Sequence, residues 1–361
     1  MFKKQKISHY QFKILVVMCF VGTSILVTPG GLAAETKQDA WLAAIIGLLL
    51  SFPIVWIYNF LGNHLYNMTL IEYTEKVLGK WLGKLVSLSF IFFCFINSAS
   101  LLYIVGDFVT TQIMPETPIQ FTNTLFVIVV VMGSRLGIET LARAGEILYP
   151  WVIGIFIILI FLLFPNTDIK KIQPIFEHGI KTNLRGALLF MSYSSLTLIV
   201  LLMIFPAYIN KPQKAKKTFL RGTLIGGLMI FIMTLFSILV LGHDFTARNV
   251  FPSYILVKKI SLADFLERME AAIATLWIIT IFYKIVIYFY GAILGLAQTL
   301  NLQDYRPLTL PMAMILIVIS LIIYPNVVYA NTWNSTTWIP FVLTFGLFLP
   351  LLLLIVAVLR K

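Results

Sequence analysis

The chain has 361 residues, of which 60% are apolar and 12% are charged, and its mean hydropathy is +0.94. A soluble globular chain carries about 25% charged residues, so this composition excludes a soluble domain and indicates an integral membrane protein. The formal net charge of +12 raises the question of nucleic-acid binding. The basic residues lie in short segments between apolar runs, where they contact anionic lipid, so no nucleic-acid partner is expected.

A bilayer core about 30 Å thick needs about 20 apolar residues for each helical span. The apolar runs are too long and too unalternating for barrel strands, and lipid forces each span to satisfy its own backbone hydrogen bonds, which favours helices. The sequence therefore predicts an all-α integral membrane protein of about ten transmembrane helices in one domain, residues 1–361. The predicted helices one to ten cover residues 11–37, 41–62, 83–112, 120–134, 144–164, 185–208, 219–242, 267–298, 308–328 and 337–358.

The distribution of Lys and Arg predicts the orientation of these helices. With the N-terminus in the cytoplasm, 17 of the 27 basic residues fall in inner segments and nine in outer segments. The densest cluster, residues 211–221, then lies on the inner side. The remaining cation, Lys284, lies within helix eight. Both termini are therefore expected in the cytoplasm.

The first apolar segment contains residues that disfavour a continuous helix. Residues 19–32 read CFVGTSILVTPGGL, and glycine and proline weaken a helix interior by about 1 and 3 kcal/mol, respectively. If the helix unwinds across residues 22–28, Thr28 caps and Pro29 opens a second half-helix, whose free N–H groups offer a carboxylate site. The alternative is a proline kink packed by small residues.

Helix six carries a cluster of hydroxyl groups. In an inverted repeat of five plus five helices, this helix is the counterpart of helix one, so the cluster can line the same cavity. The alternative is that the hydroxyls donate to carbonyls of their own helix. The cluster consists of Ser192, Tyr193, Ser194, Ser195 and Thr197.

Lys284 lies about sixteen residues from Arg268, too deep for its ammonium to reach the interface easily. An ionisable group at that depth costs about 2.5–3.5 kcal/mol and indicates a function. The ammonium can take the place of the bound cation of sodium-coupled carriers and donate to free carbonyls of helix one, or it can gate the site by gaining and losing a proton. The alternative is a lysine paired with carbonyls for packing alone. Asp107, near the outer end of helix three, is expected to face water.

The sequence contains none of the motifs that carry enzyme chemistry. There is no Walker loop, no H-x-x-x-H, no cysteine pair and no nucleophile elbow. Cys19 and Cys94 fall inside apolar stretches, and the four histidines lie far apart in or beside loops. We expect no enzyme activity, no cofactor and no metal site.

Four stretches occur in a diagnostic order: ISHYQF (7–12) leading into GTSILVTP (22–29), PAYINKP (206–212), ERME (267–270) with Trp277 seven residues on, and Tyr324-Pro325. Their order and spacing, with the length and the ten spans, resemble the B subunit of spore germinant receptors. That family lies within the amino acid–polyamine–organocation transporter superfamily. The resemblance covers essentially the whole chain and implies a LeuT-like five-plus-five inverted repeat with broken helices one and six.

The resemblance also implies a germinant-sensing subunit in the inner membrane of a spore. It would bind a small nutrient such as an amino acid and trigger germination together with a larger A subunit and a lipoprotein C subunit. Binding would shift helices one and six relative to each other. The expected site has Lys284 as a cation-mimicking or gating group and, as ligand-binding residues, Gly22, Thr23, Ser24, Ile25, Ser194, Ser195 and Thr197.

Two departures from the family pattern affect the expected ligand. Ser24 replaces the second glycine of helix one, and Leu196-Thr197 stands where helix six is expected to carry Gly-Glu. The ligand therefore need not be an ordinary L-amino acid. Two other functions stay open: a secondary carrier for an amino acid or related solute, and a scaffold without a cavity between helices one, six and eight.

Overall fold

A computed structural model describes residues 6–260 and 269–359, with the side chains of Val327 and Asn331 excepted. In this part of the chain, eight helical stretches are long and apolar enough to cross a membrane, and two apolar helices are shorter. One of the eight, Ser24–Leu65, holds the second half of helix one together with helix two. Among the described residues, β pairing is limited to one isolated parallel bridge between Ile7 and Ile209.

The described helices follow the predicted order, so the all-helical fold with breaks in helices one and six is confirmed. Their bounds are His9–Val21 and Ser24–Thr36 for helix one, Ala40–Leu65 for two, Lys80–Phe108 for three, Ile119–Leu136 for four, Ile138–Leu163 for five, Gly179–Tyr193 with the 3-10 helix Leu196–Met203 for six, Pro212–Leu241 for seven, Glu270–Thr299 for eight, Thr309–Ile322 for nine and 327–359 for ten. Short helices, Leu70–Leu78, His243–Arg248 and Pro252–Lys258, lie between them.

Several helices are longer than the apolar spans that predicted them. Helix seven begins at Pro212, and helix five begins after Gly137, whose φ is 88°. A helix can extend beyond its apolar span into the membrane–water interface, because the charged side chains of its first turn reach water there. The predicted start of helix eight at Glu267 lies outside the described residues.

Helix ten is the least regular of the described helices. It begins ten residues before its predicted start, where the Asn326 side chain accepts from the Tyr329 N–H at 2.8 Å. Two π-helical turns, Trp333–Thr337 and Thr344–Phe348, interrupt it. Turns of this kind often occur at functional sites.

Helices one, six and eight form the centre of the bundle. In helix one, the side chains from Ile14 to Val21 are at most 2% exposed, and the 3-10 helix Leu196–Met203 is buried along its whole length. A helix that is apolar on all sides belongs in a core. Helices five and nine instead expose large apolar groups such as Phe161 and Met314, the surface expected toward lipid tails.

The two ends of the bundle differ in charge. We call the end that holds the start of helix one the basic face: there Gln11 donates to Glu146 at 3.0 Å, and Arg306 donates to the Arg135 carbonyl at 3.2 Å. At the opposite face, Gln38 donates to Glu177, and the Asp39 carboxylate accepts from the Phe176 N–H at 2.8 Å. The short helices that follow helix seven also lie at the opposite face.

The packing predicts a contrast between two helical glycines. A Cβ at Gly186 would lie 2.6 Å from Thr36 Cγ2 and 2.8 Å from Ala43 Cβ, whereas a Cβ at Gly154 meets nothing within 4 Å. Gly186→Ala should therefore destabilise the protein by about 1–3 kcal/mol through overpacking. Gly154→Ala, the matched control, should be neutral or stabilising by up to about 1 kcal/mol. Thermal unfolding in lipid nanodiscs measures both, and equal midpoints would contradict this helix packing.

Candidate ligand-binding site

Helix one breaks over two residues, Gly22 and Thr23. Gly22 has φ 12° and ψ −112°, and its N–H still donates to the Met18 carbonyl at 2.9 Å. A Cβ at this position would come within 2.6 Å of Lys284 Cδ and 3.1 Å of Lys284 Cβ. Only glycine therefore lets helix eight approach helix one so closely.

The prediction that helix one unwinds as far as residue 28 is wrong. Thr28 and Pro29 lie inside the second half-helix, Ser24–Thr36, and Thr28 caps nothing. Proline lacks an N–H, so the carbonyl four residues earlier loses its helical donor. That carbonyl belongs to Ile25 and accepts instead from the Ser253 hydroxyl at 2.6 Å. This substitute donor lets the proline remain within a regular half-helix.

Helix six breaks at Ser194, where φ is −116° and ψ is −83°. The Ser194 hydroxyl donates to the Phe190 carbonyl at 2.6 Å, and the Thr197 hydroxyl donates to the Ser194 carbonyl at 2.6 Å. These two hydroxyls thus bond within their own helix, which is the alternative that the sequence left open. The Ser195 hydroxyl is buried and has no hydrogen-bond partner among the described residues.

Lys284 joins the two breaks. Its side chain is 3% exposed, and its ammonium donates to the Tyr193 carbonyl at 2.7 Å. The Ser24 hydroxyl donates to the same oxygen at 2.9 Å. Tyr193 ends the α-helical half of helix six, where unpaired carbonyls concentrate negative charge and favour a cation. The expectation that Lys284 bonds carbonyls of helix one is therefore wrong, because its acceptor belongs to helix six.

Tyrosine hydroxyls donate hydrogen bonds to further backbone carbonyls beyond the break in helix six. Tyr288 of helix eight donates to the Thr197 carbonyl at 2.6 Å. Tyr58 of helix two donates to the carbonyls of Leu196, at 3.1 Å, and Gly346, at 2.6 Å. These bonds tie the 3-10 segment to helices two, eight and ten, so a shift of that segment is transmitted to all three.

A small cavity, here called the central pocket, lies where the two breaks meet helices three, eight and ten. Its free volume of about 20 Å³ has room for about one water molecule. Among the described residues that line it, Lys284 is the one charged group and none is a carboxylate. The polar and aromatic part of its wall consists of Thr23, Asn97, Ser100, Tyr193, Thr197, Lys284, Tyr324, Asn334 and Trp338.

The structure brings three of the eight predicted site residues, Thr23, Thr197 and Lys284, to this pocket. The other five do not line it. Gly22 makes room for Lys284, Ser24 holds the Tyr193 carbonyl, and Ser194 bonds its own helix. Ile25 and Ser195 are buried outside the lining.

Several lining residues were missed from the sequence. Asn97 and Ser100 share one face of helix three at a spacing of three residues, so polar groups in an apolar span were the available signal. Tyr324 donates to Ser100 at 3.2 Å, and Trp338 stacks on Tyr193 with ring centroids 5.7 Å apart. No local pattern indicates these long-range contacts.

The fold and the pocket together define a membrane protein with multiple helical spans and a candidate site at two broken helices. The solved structure of MhsT in complex with L-phenylalanine has a TM-score of 0.71 at 13% identity and covers 99% of both chains. Mhp1, a nucleobase-cation-symport-1 family transporter in a closed conformation, has a TM-score of 0.67 at 10% identity, covering 91% of this chain and 75% of that one. At these identities the likeness establishes the fold.

The chain belongs to the spore permease family, described as spore germination protein, whose family model matches residues 6–328. It is similar to spore germination protein KB of Bacillus subtilis, with 28% identity over 99% of this chain and 96% of that protein. Spore germination protein GerQB of Bacillus cereus is 24% identical over 97% and 95%. YndE of Bacillus subtilis is 24% identical over 81% of each. The chain is therefore a permease-like germination protein with multiple membrane spans.

Replacing Lys284 tests whether it is present for packing or for function. A buried charge is costly, and an apolar residue of similar shape is often neutral or stabilising in its place. Lys284→Met should therefore leave the thermal midpoint in nanodiscs unchanged or raised, while Ser24 still donates to the Tyr193 carbonyl. Lys284→Ala serves as the cavity-forming comparison and should lose about 2–5 kcal/mol. A large loss of stability in Lys284→Met relative to wild type would indicate that the lysine serves helix packing alone.

Proposed function

We propose that this chain is the nutrient-sensing subunit of a spore germinant receptor. It binds a small nutrient, an amino acid or a similar molecule, in the central pocket and triggers germination together with an A subunit and a lipoprotein C subunit. One observation carries the proposal: a single charged group, the Lys284 ammonium, joins the two broken helices through the Tyr193 carbonyl. Germination proteins of the same family, matched over nearly the full chain, support the biological setting.

The pocket's chemistry defines what a ligand must offer. Thr23 has a buried hydroxyl without a hydrogen-bond partner among the described residues, and Asn97 and Lys284 supply further donors. A ligand carboxylate or hydroxyl can accept from these groups, and the Trp338 ring provides apolar contact. A ligand ammonium meets neutral oxygens, because none of the described residues that line the pocket carries a carboxylate. Molecules with a carboxylate or several hydroxyls therefore fit better than simple amines.

The small size of the pocket couples binding to a change in shape. About 20 Å³ cannot hold a nutrient molecule, so the ligand requires a second, wider arrangement of the two broken helices. An acceptor on the ligand competes with Tyr193 for the Lys284 ammonium and so releases the end of helix six. A ligand shifts such an equilibrium only by its difference in affinity for the two arrangements. This difference supplies the signal without any need for translocation.

We place the basic face and both termini in the cytoplasm, following the distribution of Lys and Arg. The germinant then enters from the opposite face, and the membrane is the inner membrane of the spore. The second candidate is a secondary carrier, favoured by the fold that the chain shares with transporters. In a carrier the same site would open alternately to both faces.

The substitution Thr23→Val distinguishes an effect on ligand binding from an effect on protein stability. Valine keeps the shape of threonine but removes a hydroxyl that bonds nothing in the described part of the protein. One lost hydrogen bond is worth about 0.5–1.5 kcal/mol, so the half-maximal germinant concentration should rise about two- to tenfold at an unchanged thermal midpoint. Spores that carry this chain as their only B subunit, with its A and C partners, are tested against a panel of amino acids and sugars.

Thr275→Val is the matched control. Thr275 lies on helix eight, is exposed and donates to the carbonyl of Ala271 in its own helix, so its replacement should leave the response unchanged. An unaltered response of Thr23→Val spores with normal subunit levels would exclude the central pocket as the sensor. Solute flux in reconstituted vesicles, without any germination response from wild type, would establish the carrier.

A further inference from the structure

A larger space lies above the central pocket at the opposite face. It consists of two cavities with free volumes of about 340 and 390 Å³, within the range of small-molecule sites. Both are lined by Val27, Arg248, Asn249, Val250 and Asn334, so they form one space, here called the vestibule. Tyr324 and Asn334 also line the central pocket, which makes the vestibule its entrance.

The vestibule carries opposite charges on its wall. Arg248 lines both cavities, Asp107 lines the first and Glu35 the second. The Glu35 carboxylate lies 4.0 Å from the Arg185 guanidinium. Arg248 and Asp107 have no ion-pair partner within residues 6–260 and 269–359. A guanidinium and a carboxylate thus face one small cavity without neutralising each other there.

We infer that the vestibule is a second binding site, selective for zwitterionic α-amino acids. Arg248 receives the carboxylate, for which its planar pair of donors is suited, and Asp107 receives the ammonium. A ligand with one charge leaves the other wall charge partly desolvated and unmatched, which costs affinity. The inference rests on the proposed function, because the vestibule feeds the pocket proposed to sense the nutrient.

The central pocket and the vestibule are complementary in charge. Within residues 6–260 and 269–359, the central pocket is lined by an ammonium and by no carboxylate, whereas the lining of the vestibule matches both charges of an amino acid. Asn334 lies on the π-helical turn Trp333–Thr337 and lines all three cavities. Between the two sites, the Tyr324–Ser100 hydrogen bond and the Tyr193–Trp338 stack form a partition. The vestibule therefore selects the ligand before the partition opens.

The test uses the full chain in lipid nanodiscs and equilibrium binding of radiolabelled L-α-amino acids. The tightest binder is then compared with its carboxamide, which lacks the carboxylate charge, and its N-acetyl derivative, which lacks the ammonium. Arg248→Gln and Asp107→Asn should each weaken binding of the free amino acid about tenfold, the value of one charge-assisted hydrogen bond. Arg248→Gln should leave carboxamide binding unchanged, and Asp107→Asn should not weaken binding of the N-acetyl derivative.

Asp244→Asn is the control, because Asp244 lies on the same short helix as Arg248 but contacts His243 and does not line the vestibule. Its affinities should equal those of wild type. The inference fails if wild type binds no L-α-amino acid, or if neither vestibule variant weakens binding of the free amino acid. The proposed function would still hold if the spores germinate in response to another nutrient and Thr23→Val weakens that response. Amino acid binding in the vestibule without any germination response would instead overturn the proposed function.

Discussion

The hydrogen bond from the Lys284 ammonium to the Tyr193 carbonyl is the interaction on which the centre of this protein depends. Two helices are broken at membrane depth, where an unpaired backbone group costs several kcal/mol. The ammonium meets the free end of helix six, and Gly22 leaves space for its stem. The lysine needs an acceptor at this depth and its stem needs a glycine on helix one, while the carbonyl keeps a second donor in the Ser24 hydroxyl.

The Lys284 ammonium is a covalently attached charge at the two broken helices. In a carrier, a bound cation that dissociates couples transport to an ion gradient. A lysine cannot leave, so its charge can only change partners within the site. In the receptor proposed above, a change of hydrogen-bond partner would move helix six without moving solute across the membrane. The hydrogen bonds of Tyr58 and Tyr288 connect that helix to helices two, eight and ten.

The fold could be predicted from the sequence because lipid imposes simple rules on length, charge and backbone pairing. The break at Gly22 and the importance of Lys284 follow from the same rules. The extent of that break could not be predicted, because Pro29 stays within the helix through a hydrogen bond from Ser253 to the Ile25 carbonyl, 228 residues away in the sequence. The partner of Lys284 lies 91 residues from it. Long-range hydrogen bonds of this kind leave no periodic signal, so more than half of the residues that line the pocket were not predicted.

The buried 3-10 segment Leu196–Met203 has a consequence for electrical insulation. Its eight residues contain one hydroxyl, Thr197, and six of the other seven are Leu, Ile or Val. An ion crossing this layer would lose its hydration over the whole length and gain almost no ligands in return. The segment is therefore a poor path for ions. In the sensor proposed above, it would limit the leak of ions through the subunit.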